Sequence, residues 1–411
     1  MFKKRIIKPL IKEYLSDTPV LILTGARQTG KSTLLREMFS AEAVIDLDDL
    51  GVLRAFRDNA ERALDDAMAQ AEGGTVVIDE VQRVPDIMIA VKRRVDAKGT
   101  TKFVLTGSAN LSLLRHVNET LAGRSHQLEL APLAFSEWIG SEPKNLINIL
   151  ERGEDALREL KSIALQARTE LDSVRDQLLE HGSMPALLEK RDSKQRARWL
   201  GGYHKTYLER DIRDVGESVE PMIFSKALEL ACLRTSGIVS WSDIGRDLGC
   251  SYHTAKRYLE IMRLGFQIFF LPAWSGNLTT RLVKAPRLFA SDVGVRNQVA
   301  GTDQPRGAVY ETWVIGEVRK LLSATESKAR LSFFRSSAGL EVDLLIESEG
   351  GIIALEVKSN PKLDKKSAIN LKRLRESLGD RFRIGLVIHP GYHVEEIEAG
   401  IYGIGDLLLL T

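Results

Sequence analysis

An eight-residue stretch near the amino terminus restricts the fold of this 411-residue chain more than any other feature. It reads Gly25-Ala26-Arg27-Gln28-Thr29-Gly30-Lys31-Ser32 and fits the pattern G-x-x-x-x-G-K-[ST] at each constrained position. Apolar residues 20–23 precede it as a predicted buried strand, and residues 33–39 follow it with helical spacing. In that context the glycines let several backbone N–H groups point at one anion, and the helix start adds its positive end. The stretch therefore predicts a phosphate-binding loop in an α/β sheet.

The residue types in this loop suit the parts of a nucleoside triphosphate. Lys31 has the reach to contact the β- and γ-phosphates, and the Ser32 hydroxyl is a ligand for Mg²⁺. We expect the chain from Gly25 to Thr33 to surround the phosphates. The predicted cofactors are therefore ATP and Mg²⁺.

Two further apolar runs end in polar residues that belong to the same chemistry. Residues 75–78 lead into Asp79 and Glu80. Asp79 is expected to hold Mg²⁺, directly or through water, and Glu80 to orient or deprotonate the attacking water. The run 102–105 leads into Thr106-Gly107-Ser108, where Thr106 or Ser108 is a candidate sensor of the γ-phosphate and an ordinary strand-to-loop turn is the alternative. Together the three strand ends indicate a nucleoside triphosphatase.

The composition is that of a globular protein with several domains. The chain is 44% hydrophobic and 28% charged, with a formal net charge of +2, so local basic clusters matter more than the total. Its two cysteines, Cys232 and Cys250, form neither a metal-ligand pattern nor a disulfide framework. No apolar run approaches the length of a membrane helix. We therefore expect a cytoplasmic protein without membrane association.

Changes of pattern along the chain predict four regions in an α/β protein. Residues 1–140 alternate strands and helices, which predicts a parallel-sheet nucleotide domain. Residues 141–220 are expected to be a helical linker, in which alternating charges over 154–180 indicate a solvated helix. Residues 221–300 suit a winged helix-turn-helix, and residues 301–411 combine helices and strands in a second α/β domain.

Arg124 follows the third strand of the nucleotide domain. An arginine near a phosphate site can stabilise the charge of the transition state, in its own chain or in a neighbouring copy. A role across copies would require a homo-oligomer. A surface arginine without a catalytic role is the simpler interpretation.

The predicted winged helix carries basic residues that suit a DNA backbone. Its third helix, over residues 252–264, would enter the major groove with an outward basic face, and Ser251 is a plausible cap. Further basic residues on the wing would touch phosphates. Packing of the winged helix against protein is the alternative. The candidate DNA-binding residues are His253, Lys256 and Arg257 on the helix, and Arg281, Lys284 and Arg287 on the wing.

Charged side chains interrupt two apolar strands of the last region. Asp343 lies on one strand, and Glu356 and Lys358 lie on one face of the next. Neighbouring buried carboxylates are costly without a cation, so Mg²⁺ or Mn²⁺ at Asp343 and Glu356 would explain them, with Lys358 activating water. Glu311 on the preceding helix is a further candidate ligand, and Glu317 competes with it. A structural cluster in which Lys358 pairs with the carboxylates is the alternative.

These motifs resemble the prokaryotic AAA-type ATPases that carry a C-terminal domain of unknown function called DUF4143. The phosphate loop with Thr24, residues 78–82, residues 105–108 and Gly123-Arg124 resemble the ATPase half, and residues 208–211, the winged-helix region and residues 292–294 resemble the middle. The last region is similar to the restriction-endonuclease-like PD-(D/E)XK fold. There the resemblance implies metal-binding and catalytic positions for Asp343, Glu356 and Lys358, and the usual helix glutamate for Glu311. The charged stretch at 150–180 is longer than this family leads one to expect.

Two functions follow from these predictions. In the first, ATP hydrolysis gates the docking of DNA, held by the winged helix, onto a metal-dependent nuclease site. In the second, the protein is a nucleotide-switched DNA- or protein-binding ATPase whose nuclease-like domain is inactive. The third hypothesis is a regulatory ATPase that binds only a protein partner.

Overall fold

Buried apolar runs in the first 130 residues form a five-stranded parallel sheet. The computed structural model describes residues 3–39, 43–107, 120–206, 219–276, 284–302, 306–325 and 327–411. The strands run in the order β2-β3-β4-β1-β5. They are β1 (Val20–Thr24), β2 (Ala43–Asp46), β3 (Thr75–Asp79), β4 (Lys102–Thr106) and β5 (Ser125–Glu129).

Helices cover both faces of this sheet, which explains why its central strands are apolar without alternation. Val20 and Ile22 face one hydrophobic core, whereas Leu21 and Leu23 face another. The helices are α1 (Lys8–Asp17), α2 (Lys31–Met38), α3 (Leu50–Asp58), α4 (Ala60–Gln70) and α5 (Asp86–Asp96). The break between α3 and α4 falls at Asn59, whose side chain caps α4 by accepting from Arg62 N.

The middle of the chain is helical, as predicted, but it is not a detached linker. Leu146, Ile149 and Leu178 lie in one hydrophobic core with Leu344 and Leu386 of the C-terminal sheet. The segment therefore serves as part of the C-terminal body. Its helices are α6 (Phe135–Ile139), α7 (Asn145–Arg152), α8 (Glu154–Glu159), α9 (Leu165–His181), a 3₁₀ turn (Pro185–Glu189) and α10 (Ser193–Thr206).

Three helices and a short hairpin form the region predicted as a winged helix-turn-helix. They are α11 (Pro221–Leu233), α12 (Trp241–Leu248), α13 (Tyr252–Leu264), β6 (Ile268–Leu271) and the antiparallel β7 (Arg287–Ala290). Ser251 Oγ accepts from Thr254 N at 3.1 Å, which confirms the predicted cap of α13. Gly249 ends α12 with a positive φ of 67°, a conformation that suits glycine in a tight turn.

The C-terminal region contains a six-stranded mixed sheet in the order β12-β13-β11-β10-β9-β8. Its strands are β8 (Arg330–Arg335), β9 (Glu341–Ser348), β10 (Gly351–Val357), β11 (Phe382–His389), β12 (Val394–Glu398) and β13 (Ile401–Gly405). The accompanying helices are α14 (Val293–Ala300), α15 (Arg306–Ser323), α16 (Ile369–Leu378) and α17 (Asp406–Leu409). Among the described residues, no helix has the length and apolarity to cross a membrane.

Candidate functional site

The phosphate-binding loop joins the end of β1 to the start of α2, as the sequence predicts. Gly25 and Gly30 have φ angles of 147° and 94°, which side chains rarely adopt. A Cβ at Gly25 would also lie 2.4 Å from the Leu130 carbonyl oxygen. Both positions of the loop therefore need glycine for their backbone conformation, and Gly25 also needs it because Leu130 lies so close.

Lys31 lies within the curl of the loop. Its Nζ donates to the carbonyl oxygens of Gly25 and Ala26 at 2.9 Å each, and the residue is 6% exposed. Thr29 stabilises the same turn because its Oγ1 donates to Ala26 O at 3.0 Å. A fixed ammonium at this point is suited to anionic oxygens that enter the loop.

The carboxylates at the end of β3 lie at the same edge of the sheet as the loop. Asp79 is buried, and its Oδ1 accepts from Glu80 N at 3.0 Å. Glu80 has a positive φ of 60° and receives a hydrogen bond from Gln82 Nε2. Burial, and then the nearby Asp79 charge, raise the pKa of Glu80. The raised pKa is a feature of carboxyls that exchange protons with substrate or water.

Thr106 ends the neighbouring strand β4, in register with Leu23 of β1. The side chain is fully buried, and its Oγ1 has no hydrogen-bond partner among the residues that the structure describes. A buried hydroxyl without a partner is costly, so this atom is available to a ligand at the sheet edge. Ser108, the other candidate sensor, lies outside the described residues.

An open cleft of about 580 Å³ lies over the loop. One wall contains Arg27, Gln28, Gly30–Thr33 and Glu80. The other wall was not predicted, because its residues come from distant parts of the chain without a recognisable motif. It consists of Lys3, Arg5, Leu133, Pro185, Ala186, Leu188, Glu189 and Thr206.

Arg5 ties this cleft to the middle of the chain. Its guanidinium donates to Thr29 O of the loop at 2.8 Å and to Ala131 O at 2.5 Å, and it pairs with Glu137 at 3.1 Å. The residue is 5% exposed, which is unusual for arginine unless it is paired. Its role is missed by sequence reasoning because no local motif surrounds it.

The structure contradicts a role for Arg124 at the phosphate site of its own chain. The residue precedes β5, whose first residue Ser125 pairs with Val20 at the start of β1. The phosphate loop follows the opposite end of β1, about 15 Å away along the strand. Arg124 instead pairs with Asp96 at 2.6 Å. A contribution to a neighbouring copy stays a prediction.

The basic residues of α13 lie on its outer surface. His253, Lys256 and Arg257 are exposed, whereas Tyr258 and Leu259 face the core. Lys284 is also exposed, and Arg281 lies outside the described residues, as do residues 208–211. Arg287 does lie on the hairpin, as the first residue of β7, but it is 4% exposed, so the predicted contact of its side chain with a DNA phosphate is wrong.

Arg287 instead occupies the centre of the carboxylate cluster in the C-terminal region. Its guanidinium lies 2.5 Å from Glu311 Oε1 and 3.3 Å from Asp343 Oδ1, and Nε donates to Ser236 O at 2.7 Å. Asp343 Oδ2 accepts from Val357 N at 2.9 Å. A guanidinium thus lies between Glu311 and Asp343, two of the three acidic residues that the sequence predicts as metal ligands.

The remaining members of the cluster pair with each other. Lys358 Nζ donates to Glu356 Oε1 at 2.8 Å, whereas Glu356 Oε2 has no hydrogen-bond partner among the described residues. Burial, followed by the Asp343 charge, raises the pKa of Glu311 to about 8 and that of Glu356 to about 7. Glu317, the competing candidate ligand, contacts Lys320 at 2.6 Å and accepts from Phe135 N at 2.7 Å. It therefore belongs to the contact between α15 and α6 and not to the carboxylate cluster.

These residues fit a guanidinium better than a divalent ion. Within the described part of the chain, no group of three or more potential ligands has the geometry of a metal site. A metal at Asp343 and Glu311 would have to displace the buried Arg287. The nuclease-like metal site with Mg²⁺ or Mn²⁺ therefore lacks support from the arrangement of its own side chains.

The strand order, the phosphate loop and the acidic end of β3 define the first region as an AAA-type P-loop ATPase fold. A family model described as an AAA domain matches residues 17–139, which agrees with this assignment. Models of two domains of unknown function, DUF8612 and DUF4143, match residues 173–306 and 306–405. The chain therefore combines an AAA domain with a DUF4143 domain, as the resemblance predicted.

Proteins similar to most of this chain occur in bacteria and archaea. An uncharacterised protein of Mycobacterium tuberculosis is 26% identical over 407 residues, covering 96% of this chain and 81% of the relative. One from Methanocaldococcus jannaschii is 21% identical over 361 residues, covering 84% and 76%. Among solved structures, a Walker-type ATPase of Pyrococcus abyssi aligns with 73% of this chain and 96% of its own, with a TM-score of 0.47 and 17% identity.

Proposed function

We propose that this protein binds and hydrolyses ATP at the cleft over the phosphate loop. The convergence of the loop, Asp79, Glu80 and the unpartnered Thr106 hydroxyl at one sheet edge carries this proposal. The AAA domain and the P-loop fold support a nucleoside triphosphatase. Backbone N–H groups from Gly25 to Thr33 cradle the phosphates, and Lys31 contacts the terminal ones.

The donor set at this edge also fits Mg²⁺, which prefers oxygen ligands. Ser32 and Asp79 are the residues that would hold it, and the ion would neutralise charge on the phosphates. Glu80 accepts a proton from the attacking water, for which its raised pKa is suited. Thr106 donates to an oxygen of the terminal phosphate and so senses its presence.

The test compares Lys31→Ala with the unchanged protein in phosphate release and in binding of a fluorescent ATP analogue. We expect loss of both activities, because the loop ammonium is lost. Lys98→Ala removes an exposed lysine of the same domain and serves as the control. Normal hydrolysis by a folded Lys31→Ala protein would overturn the proposal.

For the C-terminal region, we propose that the nuclease-like cluster is structural and that nucleotide state controls binding of DNA or of a protein partner. The buried Arg287 between Glu311 and Asp343 supports this over metal-dependent cleavage. The exposed basic face of α13 favours DNA as the partner. The alternative is an active DNA nuclease in which Lys358 activates water.

Cleavage of single- and double-stranded DNA with Mg²⁺ or Mn²⁺, with and without ATP, separates the two. We expect no cleavage while ATP hydrolysis and DNA binding persist. Metal-dependent cleavage that disappears in Asp343→Ala but persists in Lys98→Ala would establish the nuclease instead.

A further inference from the structure

The two walls of the nucleotide cleft differ in chemistry. The loop wall presents backbone N–H groups, Arg27 and Lys31, which suit phosphates. The opposite wall presents the apolar residues Leu133, Pro185, Ala186 and Leu188, and Lys3 and Arg5 line the same side of the space. A nucleotide has the same division, because its charged phosphates are joined to a flat base with apolar faces.

The apolar wall reaches the loop directly. A Cβ added at Gly30 would lie 3.9 Å from Pro185 Cγ, so the 3₁₀ turn Pro185–Glu189 lies within one side-chain atom of contact with the loop. The cleft volume of about 580 Å³ falls within the usual range for small-ligand sites. Thr206 and Glu189 add polar groups next to the apolar residues.

The residues that lead into this 3₁₀ turn are fixed in position. A Cβ at Gly182 would lie 2.0 Å from Asp292 Oδ1, and Ser183 N donates to Asp292 Oδ2 at 2.8 Å. Lys320 Nζ donates to Ser183 Oγ at 2.9 Å and to Leu133 O at 3.1 Å. The wall is therefore held by buried contacts on both sides, as a binding surface requires.

We propose that the turn Pro185–Glu189, together with Leu133, binds the nucleoside half of the nucleotide. This proposal rests on the proposed ATP site and assigns the part that the phosphate loop does not explain. The base packs against Pro185 and Leu188, while the loop holds the phosphates. The region predicted as a linker thus supplies half of the nucleotide site.

The first test uses Leu188→Ser with two probes, a fluorescent ATP analogue and inorganic tripolyphosphate as competitor. Loss of apolar contact with the base should weaken ATP-analogue binding about 10-fold, in the range for losing a buried apolar contact. Binding of tripolyphosphate, which has no nucleoside, should be unchanged. Leu179→Ser is the matched control, because Leu179 packs against the same core but does not line the cleft.

The second test needs no substitution and so remains decisive if Leu188→Ser fails to fold. Photolysis of 8-azido-ATP on the unchanged protein should label the peptide that contains residues 183–190, and excess ATP should prevent the labelling. Saturable labelling confined to other peptides would overturn the assignment. If the unchanged protein binds neither ATP nor tripolyphosphate, the proposed ATP site is wrong. If ATP binds equally well to the unchanged protein and to Leu188→Ser, only the assignment of the nucleoside is wrong.

Discussion

Glu80 is the residue whose environment most directly predicts a pH dependence. Burial and the adjacent Asp79 raise its pKa above the ordinary value of 4.5. As a proton acceptor it must be ionised, so hydrolysis should fall as the pH decreases through this raised pKa. We expect Glu80→Gln to lower the turnover number about 10²–10⁴-fold while ATP-analogue binding persists.

Phosphate release measured from pH 5 to pH 9, with binding measured in parallel, checks this prediction. Glu72→Gln changes an exposed glutamate before β3 and should leave the profile unchanged. A Glu80→Gln enzyme with normal turnover would show that another group accepts the proton.

At this scale the sequence predicts local motifs well and distant partners poorly. The loop residues are recognisable because the whole motif lies within eight consecutive residues. Arg287 is misread because its partners Glu311 and Asp343 lie 24 and 56 residues away, and only the fold brings them together. Arg5 escapes notice for the same reason.

Helix α13 is the element on which DNA binding can be tested most simply. Its exposed basic residues should contact phosphates, since Tyr258 and Leu259 fix which face is outward. Lys256→Ala and Arg257→Ala should each weaken DNA binding and reduce the slope of log affinity against log salt by about 1. Fluorescence anisotropy over a salt series measures both quantities.

Lys98→Ala again provides the comparison, because Lys98 is an exposed lysine on a different region. If all three variants bind DNA with the affinity and the salt dependence of the unchanged protein, α13 is excluded from the DNA interface. That result would favour a protein partner for the winged helix.

The acidic residues buried between β7, α15, β9 and β10 predict that the stability of the protein depends on pH. Burial raises the pKa of Glu311 and Glu356 to about 8 and about 7, from 4.5 in the unfolded chain. The folded protein therefore retains protons that the unfolded chain releases, and this contribution to stability is lost as pH rises through 7 and 8. Each pKa unit corresponds to about 1.4 kcal/mol.

Urea unfolding at pH 6.5 and pH 9 should thus show a lower free energy of unfolding at the higher pH. Glu311→Gln should reduce this difference by removing one titrating group, whereas Glu349→Gln, at an exposed position, should not. An unchanged pH dependence in Glu311→Gln would mean that the carboxyl does not retain a proton in the folded state.

Among the elements, those with strong periodicity were predicted and those with mixed patterns were not. Helix α13 follows its predicted range of 252–264 because its apolar spacing and its serine cap agree. Strands β12 and β13 have weak strand signals in the sequence. The first reads Val394-Glu395-Glu396-Ile397-Glu398 at a sheet edge, and the second contains two glycines, which are poor strand formers.

At the scale of the whole molecule, the helical middle is continuous with the C-terminal body. Its apolar residues show helical spacing in the sequence, but the surface that covers them belongs to residues far along the chain. The sequence therefore predicts helices and cannot predict their partner. The same packing brings Pro185–Glu189 next to the phosphate loop, so we predict a route from the nucleotide site into the C-terminal body.

Lys320 and Glu317 on α15 are the groups through which that route can be tested. Lys320 contacts Leu133 O and Ser183 Oγ, and Glu317 accepts from Phe135 N, so one helix holds both ends of the apolar wall. A nucleotide at 100 times its dissociation constant stabilises its site by about 2.7 kcal/mol. We expect an ATP analogue to slow hydrogen exchange in α15 as well as in the phosphate loop.

The double variant Lys320→Met with Glu317→Leu removes these hydrogen bonds without leaving an unpaired buried charge. In it, nucleotide should still protect the phosphate loop but no longer protect α15, as measured by hydrogen exchange with mass spectrometry. Lys328→Met, at an exposed position beyond α15, should behave like the unchanged protein. Equal protection of α15 in the double variant would mean that the nucleotide acts on the C-terminal body by another path. Protection confined to the phosphate loop in the unchanged protein would mean that the two regions respond independently, because the buried contacts at Ser183 then transmit nothing.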